Sequence, residues 1–300
     1  MGKIVVVGSS NTDMVVRSES LPRPGESVLG GDFIMAGGGK GANQAIAVAR
    51  MGHKVTFAAA VGRDMFGDAA IAGYESHGVD TTYISRKETP SGIALIMVDG
   101  AGQNCISVAL GANNCLTPED VMPALKNIAE GDIVLLQLEI PMATVDACVA
   151  TAAAEGAKVV LNPAPAAVVS EDTLAKLYLI TPNQTEAQTL TGIEVTDEES
   201  ATRAAAALCA KGVSRVVVTM GAQGSLLYED GKGEIIPAHK VTAVDTTAAG
   251  DVYNGALCAA MAEGMNLRDA LTFATKAAAI SVTRVGAQPS VPSRYEVDNF

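Results

Sequence analysis

Short apolar runs of strand length recur along the chain, and alanine-rich segments of helical length separate them. Apolar runs without polar alternation are typical of strands that are covered on both faces. The alternation predicts an α/β fold with a mostly parallel central sheet between two layers of helices, in which ligands bind at the carboxyl ends of the strands. The predicted strands are residues 4–7, 55–60, 133–136, 159–161, 179–181 and 216–219.

Glycines mark the ends of several predicted helices. Gly52, Gly156 and Gly212 each follow an amphipathic segment, and glycine suits the left-handed conformation in which many helices stop. The helices predicted in this way are residues 42–51, 118–129, 142–155 and 200–210.

Two stretches break the alternation and predict a second, smaller sheet. Residues 14–17 with 27–34, and 92–98 with 104–110, have β character and are joined by turns without a helix between them. A small sheet with one apolar face needs a cover. We therefore expect residues 1–300 to form one folding unit with a β lid, made of roughly 14–34 and 91–110, that packs on a second subunit.

Composition excludes several classes of function. The chain has 300 residues, 48% of them hydrophobic, which is enough to bury a large core. A net charge of −12 without any basic run argues against a nucleic-acid partner. No apolar stretch approaches the roughly 20 residues that span a bilayer, and the N-terminus resembles a core strand rather than a signal peptide. These features predict a cytoplasmic protein without membrane partners.

Cysteine and histidine usage gives no sign of a zinc site or of disulfides. The five cysteines are an odd number without close pairs, and the three histidines are scattered. We expect reduced thiols that pack as small hydrophobic side chains.

The segment 245–251, Asp-Thr-Thr-Ala-Ala-Gly-Asp, is the most informative candidate for chemistry. The apolar spacing after Asp251 predicts a helix, so that Ala248, Ala249 and Gly250 lie at its N-terminus. Open backbone N–H groups and the helix dipole at such a place suit an anion. Asp251 alone fits two interpretations, a helix cap or a functional carboxylate.

A glycine-rich segment, residues 36–44, also precedes a helix. Glycines let a backbone approach a ligand closely, and Lys40 and Asn43 offer hydrogen-bond donors. The segment lacks the spacing of a P-loop. It does satisfy GxGxxA, but the match is weak because any glycine-dense run produces it, which makes a dinucleotide-binding oxidoreductase a minor alternative.

Other polar residues follow predicted strands, each with a structural alternative. Asn11 and Asp13 lie two apart and suit vicinal hydroxyls, or are turn-formers. Glu139 suits a sugar hydroxyl, or caps the helix after Pro141. Asn183 and Glu186 suit a water-coordinated magnesium ion, or cap a helix.

The glycine turn 219–225 follows another predicted strand. It suits the underside of a nucleotide, or is an ordinary entry into a hairpin.

Six of these segments together resemble the ribokinase, or PfkB, family of carbohydrate kinases, in order and in spacing. They are residues 8–13, 38–43, 162–166, 181–186, 245–251 and 286–292, so the resemblance runs essentially from end to end. It implies a three-layer α/β/α sandwich with a β lid that pairs between two subunits. It also implies ATP-dependent phosphorylation of the 5-hydroxyl of D-ribose, with Mg²⁺ accompanying ATP and K⁺ as an activator.

The resemblance assigns roles to individual residues. Asp251 corresponds to the catalytic base, and the amides of Ala248, Ala249 and Gly250 to an anion hole. The residues that match the sugar site are Asn11, Asp13, Gly39, Lys40, Asn43 and Glu139. Those along the nucleotide are Asn183, Thr219, Gly221, Gly224, Gly250 and Thr275, with Glu186 acting on Mg²⁺ through water. Those of a K⁺ site are Asp245, Thr247, Ser281, Arg284, Gly286 and Ser290.

Two positions depart from the family pattern. The family usually has glycine where this chain has Ala248, and alanine there narrows the resemblance toward the ribokinase branch. Thr275 stands where a histidine is found in ribokinases, which puts its contact with adenine in doubt. Alternative substrates are deoxyribose, fructose, a keto-deoxy sugar acid or a nucleoside, and a catalytically silent sugar-binding protein is the alternative from another class.

Overall fold

The computed structural model describes residues 2–300, which form a nine-stranded central sheet, a four-stranded sheet and two layers of helices. The strands are β1 (Ile4–Val7), β2 (Asn11–Arg17), β3 (Phe33–Gly38), β4 (Val55–Gly62), β5 (Ile84–Lys87), β6 (Gly92–Val98), β7 (Asn104–Ala109), β8 (Ile133–Leu136), β9 (Lys158–Leu161), β10 (Leu179–Ile180), β11 (Val216–Thr219), β12 (Ser225–Glu229) and β13 (Lys232–Ile236).

The α-helices connect or flank these strands. They are α1 (Lys40–Arg50), α2 (Met65–Ser76), α3 (Pro118–Leu125), α4 (Met142–Ala154), α5 (Glu171–Leu174), α6 (Gln184–Thr191), α7 (Glu198–Ala210), α8 (Ala249–Ala262), α9 (Leu267–Ser281) and α10 (Arg294–Asp298). Short 3₁₀ turns lie at Gly111–Cys115, Gly221–Gln223 and Gln288–Ser290.

The central sheet has the order β13-β12-β11-β10-β9-β8-β1-β4-β5 and is parallel from β11 to β5. At its other end, β12 pairs in an antiparallel manner with both β11 and β13. The mostly parallel sheet expected from the apolar runs is confirmed. Both faces of β1 are buried, because Ile4 and Val6 pack on one helical layer and Val5 and Val7 on the other.

Each face of the central sheet has its own hydrophobic core. Helices α1, α2, α8, α9 and α10 cover one face, and α3, α4, α5, α6 and α7 cover the other. Helices α1 and α8 pack closely through Gly255, where a Cβ would lie 2.5 Å from the Cβ of Ala47 and 2.7 Å from the carbonyl oxygen of Gln44. A larger residue at position 255 would push α8 away from α1.

The four-stranded sheet, with the order β3-β2-β6-β7, is called the small sheet below. Its two antiparallel pairs, β2 with β3 and β6 with β7, are joined by parallel pairing between β2 and β6. Its strands come from the two stretches in which the sequence predicts β structure without helices.

One face of the small sheet is apolar and exposed. Side chains alternate along a strand, and directly paired residues share a face. The pairing therefore puts Val16 beside Phe33, and Met14 between Met35 and Leu95, on the face opposite to Asp13. Phe33 is 62% exposed and Leu95 54% exposed.

The prediction for residues 27–34 is wrong in its boundaries. This strand begins at Phe33 and continues to Gly38, into the glycine-rich segment that precedes α1. Small residues fit there because the side chain of Asp13 packs against the strand: a Cβ on Gly38 would lie 2.2 Å from Oδ1 of Asp13. Within residues 2–300, no helix has the length and apolar character needed to cross a bilayer.

Candidate active site

The carboxyl ends of three neighbouring strands carry a row of buried polar residues. Gln137 follows β8, Asn162 follows β9 and Thr181 follows β10, and the parallel pairing of these strands brings the three to one level of the sheet. Ligands of parallel α/β sheets bind beyond this edge. The candidate site therefore lies where α1, α8 and the small sheet meet it.

Asp251 projects from the first turn of α8 toward α1. Its Oδ2 accepts a hydrogen bond from Nδ2 of Asn43 at 2.9 Å, and its Oδ1 accepts one from Nε2 of Gln44, also at 2.9 Å. The residue that caps α8 is Ala248, which makes no side-chain capping bond. The interpretation of Asp251 as a helix cap is therefore wrong.

Burial governs the protonation of Asp251. Loss of hydration raises the pKa of this carboxyl group, while the charge of Lys40 and the hydrogen bonds from Asn43 and Gln44 act in the opposite direction. Glu139 adds a further small upward contribution to the pKa. A carboxylate with a raised pKa is a better proton acceptor, as a general base requires.

Glu139 is held by the start of α1 rather than by α4. Its Oε2 accepts hydrogen bonds from Oγ of Ser9 at 2.5 Å and from the backbone N–H of Lys40 at 3.1 Å. The residue that caps α4 is Pro141, without a side-chain hydrogen bond, so the capping interpretation of Glu139 is wrong.

Lys40 is the cation among these carboxylates. Its Nζ lies 4.0 Å from Oε1 of Glu139. Burial opposes its charge, yet the nearby carboxylates of Asp251, Glu139, Glu186 and Asp13 together raise the pKa of Lys40. The ammonium group therefore stays protonated and partly offsets four acidic side chains.

Asn11 and Asp13 lie in strand β2, not in a turn, so the turn-former interpretation is wrong. Oδ1 of Asn11 accepts a hydrogen bond from Nδ2 of the buried Asn113 at 2.7 Å. Burial, with the charges of Glu139 and Asp251, raises the pKa of Asp13 to about 6, and Lys40 opposes the rise. Gly39 follows β3, has φ 89° and caps α1.

The N-terminus of α8 offers backbone donors. Within residues 2–300, the amides of Ala248 and Gly250 donate to no protein acceptor, while the amide of Ala249 donates to the carbonyl of Thr246 at 3.2 Å. Ala248 has φ 59°, a left-handed conformation that glycine adopts more readily. A Cβ on Gly250 would meet no heavy atom within 4 Å beyond its own helix and chain neighbours, so this position opens onto free space.

Asn183 and Glu186 form a reciprocal capping box at the start of α6. Oε2 of Glu186 accepts from the backbone N–H of Asn183, and Oδ1 of Asn183 accepts from the N–H of Glu186, both at 2.8 Å. The capping interpretation is confirmed. Burial raises the pKa of Glu186, and the neighbouring Asn183 forms a β-bridge with Thr219.

The turn after β11 is the entry into an antiparallel hairpin with β12. Gly221 and Gly224 have φ values of 56° and 98°, and a Cβ on Gly224 would lie 2.2 Å from the carbonyl oxygen of Ile236. Thr275 is buried in α9, where its hydroxyl donates to the carbonyl of Leu271 at 2.8 Å.

Of the residues matched to a K⁺ site, Thr247 and Gly286 hydrogen-bond to the carboxylate of Asp245. Its Oδ1 accepts from the N–H and the hydroxyl of Thr247, at 2.9 and 2.6 Å, and its Oδ2 accepts from the N–H of Gly286 at 2.8 Å. The backbone N–H of Arg284 turns back to donate to the carbonyl of Ser281 at 3.0 Å. Ser290 is buried in the adjacent 3₁₀ turn.

Sequence reasoning assigned no role to several residues that contact the site. Gln44 binds Asp251, Ser9 binds Glu139, and Asn113 binds Asn11. Asn113 lies 102 positions from Asn11 and in no motif, so no local signal identifies it. Gln44 directly follows Asn43. Its polar side chain in an otherwise alanine-rich, apolar helix was the signal that could have identified it as a site residue.

Comparison with known proteins places this geometry in a family. The model of the pfkB family of carbohydrate kinases matches residues 1–294. The chain is 43% identical to a ribokinase of Haemophilus influenzae over 298 residues, which are 99% of this chain and 97% of that protein. It is 37% identical to a deoxyribokinase of Salmonella typhi over 299 residues, 99% of this chain and 98% of that protein.

A solved structure agrees along the whole chain. The structure of Arabidopsis thaliana ribokinase complexed with ribose and ATP superposes with a TM-score of 0.92, at 34% identity, over 100% of this chain and 98% of that one. A full-length match to the family model, together with identities well above 30%, leaves the assignment without ambiguity: this chain belongs to the pfkB family of carbohydrate kinases.

Proposed function

We propose that this chain is an ATP-dependent kinase that phosphorylates the 5-hydroxyl of D-ribose, giving ribose 5-phosphate and ADP. The observation that carries the proposal is the buried carboxylate of Asp251, fixed by two amides beside free N–H groups at the N-terminus of α8. The names of the Haemophilus and Arabidopsis relatives, and the ribose and ATP bound in the latter, support the choice of sugar and nucleotide.

Asp251 acts as the general base. It accepts the proton of the sugar hydroxyl as that oxygen attacks the γ-phosphorus in line. Phosphoryl transfer depends mainly on positioning and electrostatics, so no covalent nucleophile is needed. The amides of Ala248, Ala249 and Gly250 form the anion hole, in which the Ala249 N–H leaves its bond to Thr246 to join the other two.

The sugar lies between the small sheet and α1. Carboxylates and amides accept and donate hydrogen bonds to vicinal hydroxyls, and Lys40 lowers the electrostatic cost of gathering the acidic side chains of the site. The residues that bind its hydroxyls are Asn11, Asp13, Gly39, Lys40, Asn43 and Glu139. The nucleotide runs past Asn183, Thr219, Gly221, Gly224 and Gly250 to Thr275.

Mg²⁺ fits this chain as an ion carried by ATP rather than held by the protein. Residues 2–300 contain no group of three histidine, cysteine or acidic side chains arranged for a metal, and Mg²⁺ commonly uses one or two carboxylates with waters and phosphates. Glu186, with Asn183, would hold its water ligands. Bound there, the ion would supply charge neutralisation of the phosphates.

K⁺ fits the loop around Asp245. The Asp245 carboxylate is already oriented by Thr247 and Gly286, and oxygen ligands suit such a hard cation. Because this loop runs directly into Ala248, a cation held there would stabilise the approach to the anion hole. The residues that would hold it, largely through carbonyl groups, are Asp245, Thr247, Ser281, Arg284, Gly286 and Ser290.

A second copy of this chain is the proposed partner of the small sheet. Exposed apolar patches of this kind mark interaction surfaces, and Val16, Phe33, Met35 and Leu95 form one on the face opposite to Asp13. We propose that residues 1–300 act as one unit, with the small sheet as the lid, in a cytoplasmic homodimer.

A coupled assay of ATP consumption over a sugar panel tests the function, with and without K⁺. Ribose should give the highest kcat/KM among ribose, deoxyribose, fructose, a keto-deoxy sugar acid and a nucleoside. The deoxyribokinase relative makes deoxyribose the main competitor. A preference for another sugar would refute the ribose assignment, activity that ignores K⁺ would refute the cation site, and no ATP consumption with any sugar would support a silent binding protein.

A further inference from the structure

Gln44 is a fully buried amide that touches the carboxylate of Asp251. Its Nε2 donates to Oδ1 of Asp251 at 2.9 Å and to Oδ1 of Asn162 at 3.0 Å. Both N–H bonds of this amide are therefore used, and one of them ends on the proposed base.

The orientation of the Gln44 amide is fixed from the other side by Gln137. Nε2 of Gln137 donates to Oε1 of Gln44 at 2.6 Å, and both side chains are fully buried. If the Gln44 amide turned by 180°, its NH₂ group would face a donor and its oxygen would face Asn162 and Asp251. The two neighbours thus hold a donor, not an acceptor, against the base.

The sheet register produces this relay. Gln137 and Asn162 are the first residues after β8 and β9, and the paired ends of these strands place them side by side. Gly8 is the first residue after β1, the strand that pairs with β8 on its other side. A Cβ on Gly8 would lie 1.9 Å from Oε1 of Gln137, so only glycine leaves room for the amide. The rigid sheet edge therefore extends through Gln137 and Gln44 to Asp251.

We propose that Gln44 is a positioning residue for the reaction, which fixes the Asp251 carboxylate and keeps it ionised through the Gln137–Gln44–Asp251 relay. The proposal rests on the assignment of Asp251 as base. Asn43 binds Oδ2 and Gln44 binds Oδ1, so rotation of the carboxylate would break both bonds, while each oxygen keeps a lone pair for the proton of the sugar hydroxyl.

A neutral amide suits this role better than a charged donor. A lysine or arginine in contact with Oδ1 would stabilise the carboxylate strongly and weaken it as a base. An amide donates a hydrogen bond but holds its proton too tightly to transfer it, so it orients the carboxylate at a smaller loss of basicity. The charged groups whose fields reach Asp251 are Lys40 of α1, Glu139 after β8, Asp13 of β2 and Glu186 of α6.

The first test is Gln44→Met, which keeps the length of the side chain and removes the donor. We expect kcat to fall by about 10- to 100-fold, the effect of losing one hydrogen bond to a charged group, with KM for ribose and ATP within a few-fold of the original values. The acidic limb of the kcat–pH profile should move to higher pH, because a carboxylate that loses a donor is protonated more easily.

A second variant protects the test against misfolding. Gln44→Met alone leaves Gln137 without its acceptor, whereas Gln44→Met/Gln137→Met replaces both partners and lowers the cost of unsatisfied buried groups. It should show the same loss of kcat and the same shift of the acidic limb. Gln137→Met alone leaves the bond to Asp251 in place but releases Gln44, and should give a smaller change in the same direction.

Thr144→Val is the matched control for loss of a buried hydrogen bond. The hydroxyl of Thr144 donates to the carbonyl of Leu116 at 2.7 Å on the far helical layer, away from the site. This variant should lower Tm and leave the kcat–pH profile unchanged. If the Gln44 variants behave in the same way, or if they lose kcat without any movement of the acidic limb, Gln44 has only a structural role and the proposal is overturned.

Asp251→Asn, measured beside these variants, separates the two hypotheses. If Asp251→Asn is inactive while Gln44→Met keeps the original kcat and acidic limb, the inference about Gln44 fails and the base assignment stands. If Asp251→Asn keeps full turnover, the base assignment fails, and the relay with it.

Discussion

Nδ2 of Asn43 on α1 lies 2.9 Å from Oδ2 of Asp251 on α8, although the two residues are 208 positions apart. The contact joins the glycine-rich segment before α1 to the segment that begins α8. It depends on the close packing of these helices through Gly255. In the sequence, Asp251 had both a functional and a capping interpretation, and this contact favours the functional one.

Asp251→Asn should reduce kcat by on the order of 10²- to 10⁴-fold, because the amide cannot accept the proton of the sugar hydroxyl. ATP binding should persist. Oδ1 of Asn43 is buried without a hydrogen-bond partner among residues 2–300, so the Asn43 amide can turn over and accept from the amide introduced at position 251, at no loss of bonds. Coupled turnover assays and calorimetric ATP titration measure the two effects.

The control for this variant is Asp172→Asn, which removes an exposed carboxylate that pairs with Lys176. It should turn over at the original rate. Turnover by Asp251→Asn close to that of the control would contradict the base assignment.

Gly250→Ala should lower kcat while raising stability. Alanine reduces the conformational entropy of the unfolded chain and stabilises by about 0.4–1 kcal/mol where the backbone conformation suits it. Gly250 does not have a positive φ, and the open space at this position means that the fold tolerates the methyl group. The same methyl group would occupy the space beside the amides of the proposed anion hole. Thermal unfolding and steady-state kinetics report the two changes.

Gly73→Ala is the matched control, since Gly73 lies in α2 and its added Cβ also meets no atom within 4 Å. It should gain similar stability with unchanged kcat. Equal kinetics in the two variants would argue against a phosphate close to Gly250.

Asp13→Asn should stabilise the ligand-free protein more strongly at pH 8 than at pH 5, and have little effect below pH 3.8. The pKa of Asp13 is raised from 3.8 to about 6 in the fold, so the folded state binds more protons than the unfolded state between these values. The favourable contribution of protonated Asp13 is complete below pH 3.8 and is lost as the pH rises through about 6. A rise in Tm of about 2 °C at pH 8 is expected.

The ionisation of Asp13 should also affect the binding of ribose. As the pH falls through about 6, Asp13 becomes protonated and KM for ribose should rise. At each pH, kcat is taken at saturating ribose, so that it is separated from the change in KM. In Asp13→Asn, KM should be high throughout and no longer change across this range. A pH-dependent KM that persists in the variant would assign the titration to another group.

Leu95→Lys should dissociate the proposed dimer. Leu95 lies at the centre of the apolar face of the small sheet, between Met14 and the edge strand β7, and a charge buried there without a partner is costly. Analytical ultracentrifugation should show a monomer. Val168→Lys, at a 91% exposed valine outside the small sheet, should leave the dimer intact. A dimer that survives Leu95→Lys would exclude this face as the interface.

Local patterns predicted the elements of the central sheet closely. The apolar runs 4–7, 133–136 and 216–219 coincide with β1, β8 and β11, because a strand buried on both faces is a nearly continuous apolar run. The small sheet was predicted less well. Its strand β3 runs through Gly37 and Gly38, where an added Cβ would meet the side-chain ends of Gln288 and Asp13, and β propensity does not report such tertiary contacts.

The sequence by itself determined the class of fold, the family and the segments that carry the chemistry, because periodicity and turn residues are local and the motifs keep their order along the chain. Only the tertiary structure decided whether each acidic residue caps a helix. It shows that Asp251 and Glu139 do not, and that Glu186 does. The physical reason is that the deciding hydrogen bonds of Asp251 and Glu139 join residues about 100 to 200 positions apart. Strand register and helix packing bring such partners together, as they bring Gln137 and Gln44 to Asp251, and neither is written in any single segment.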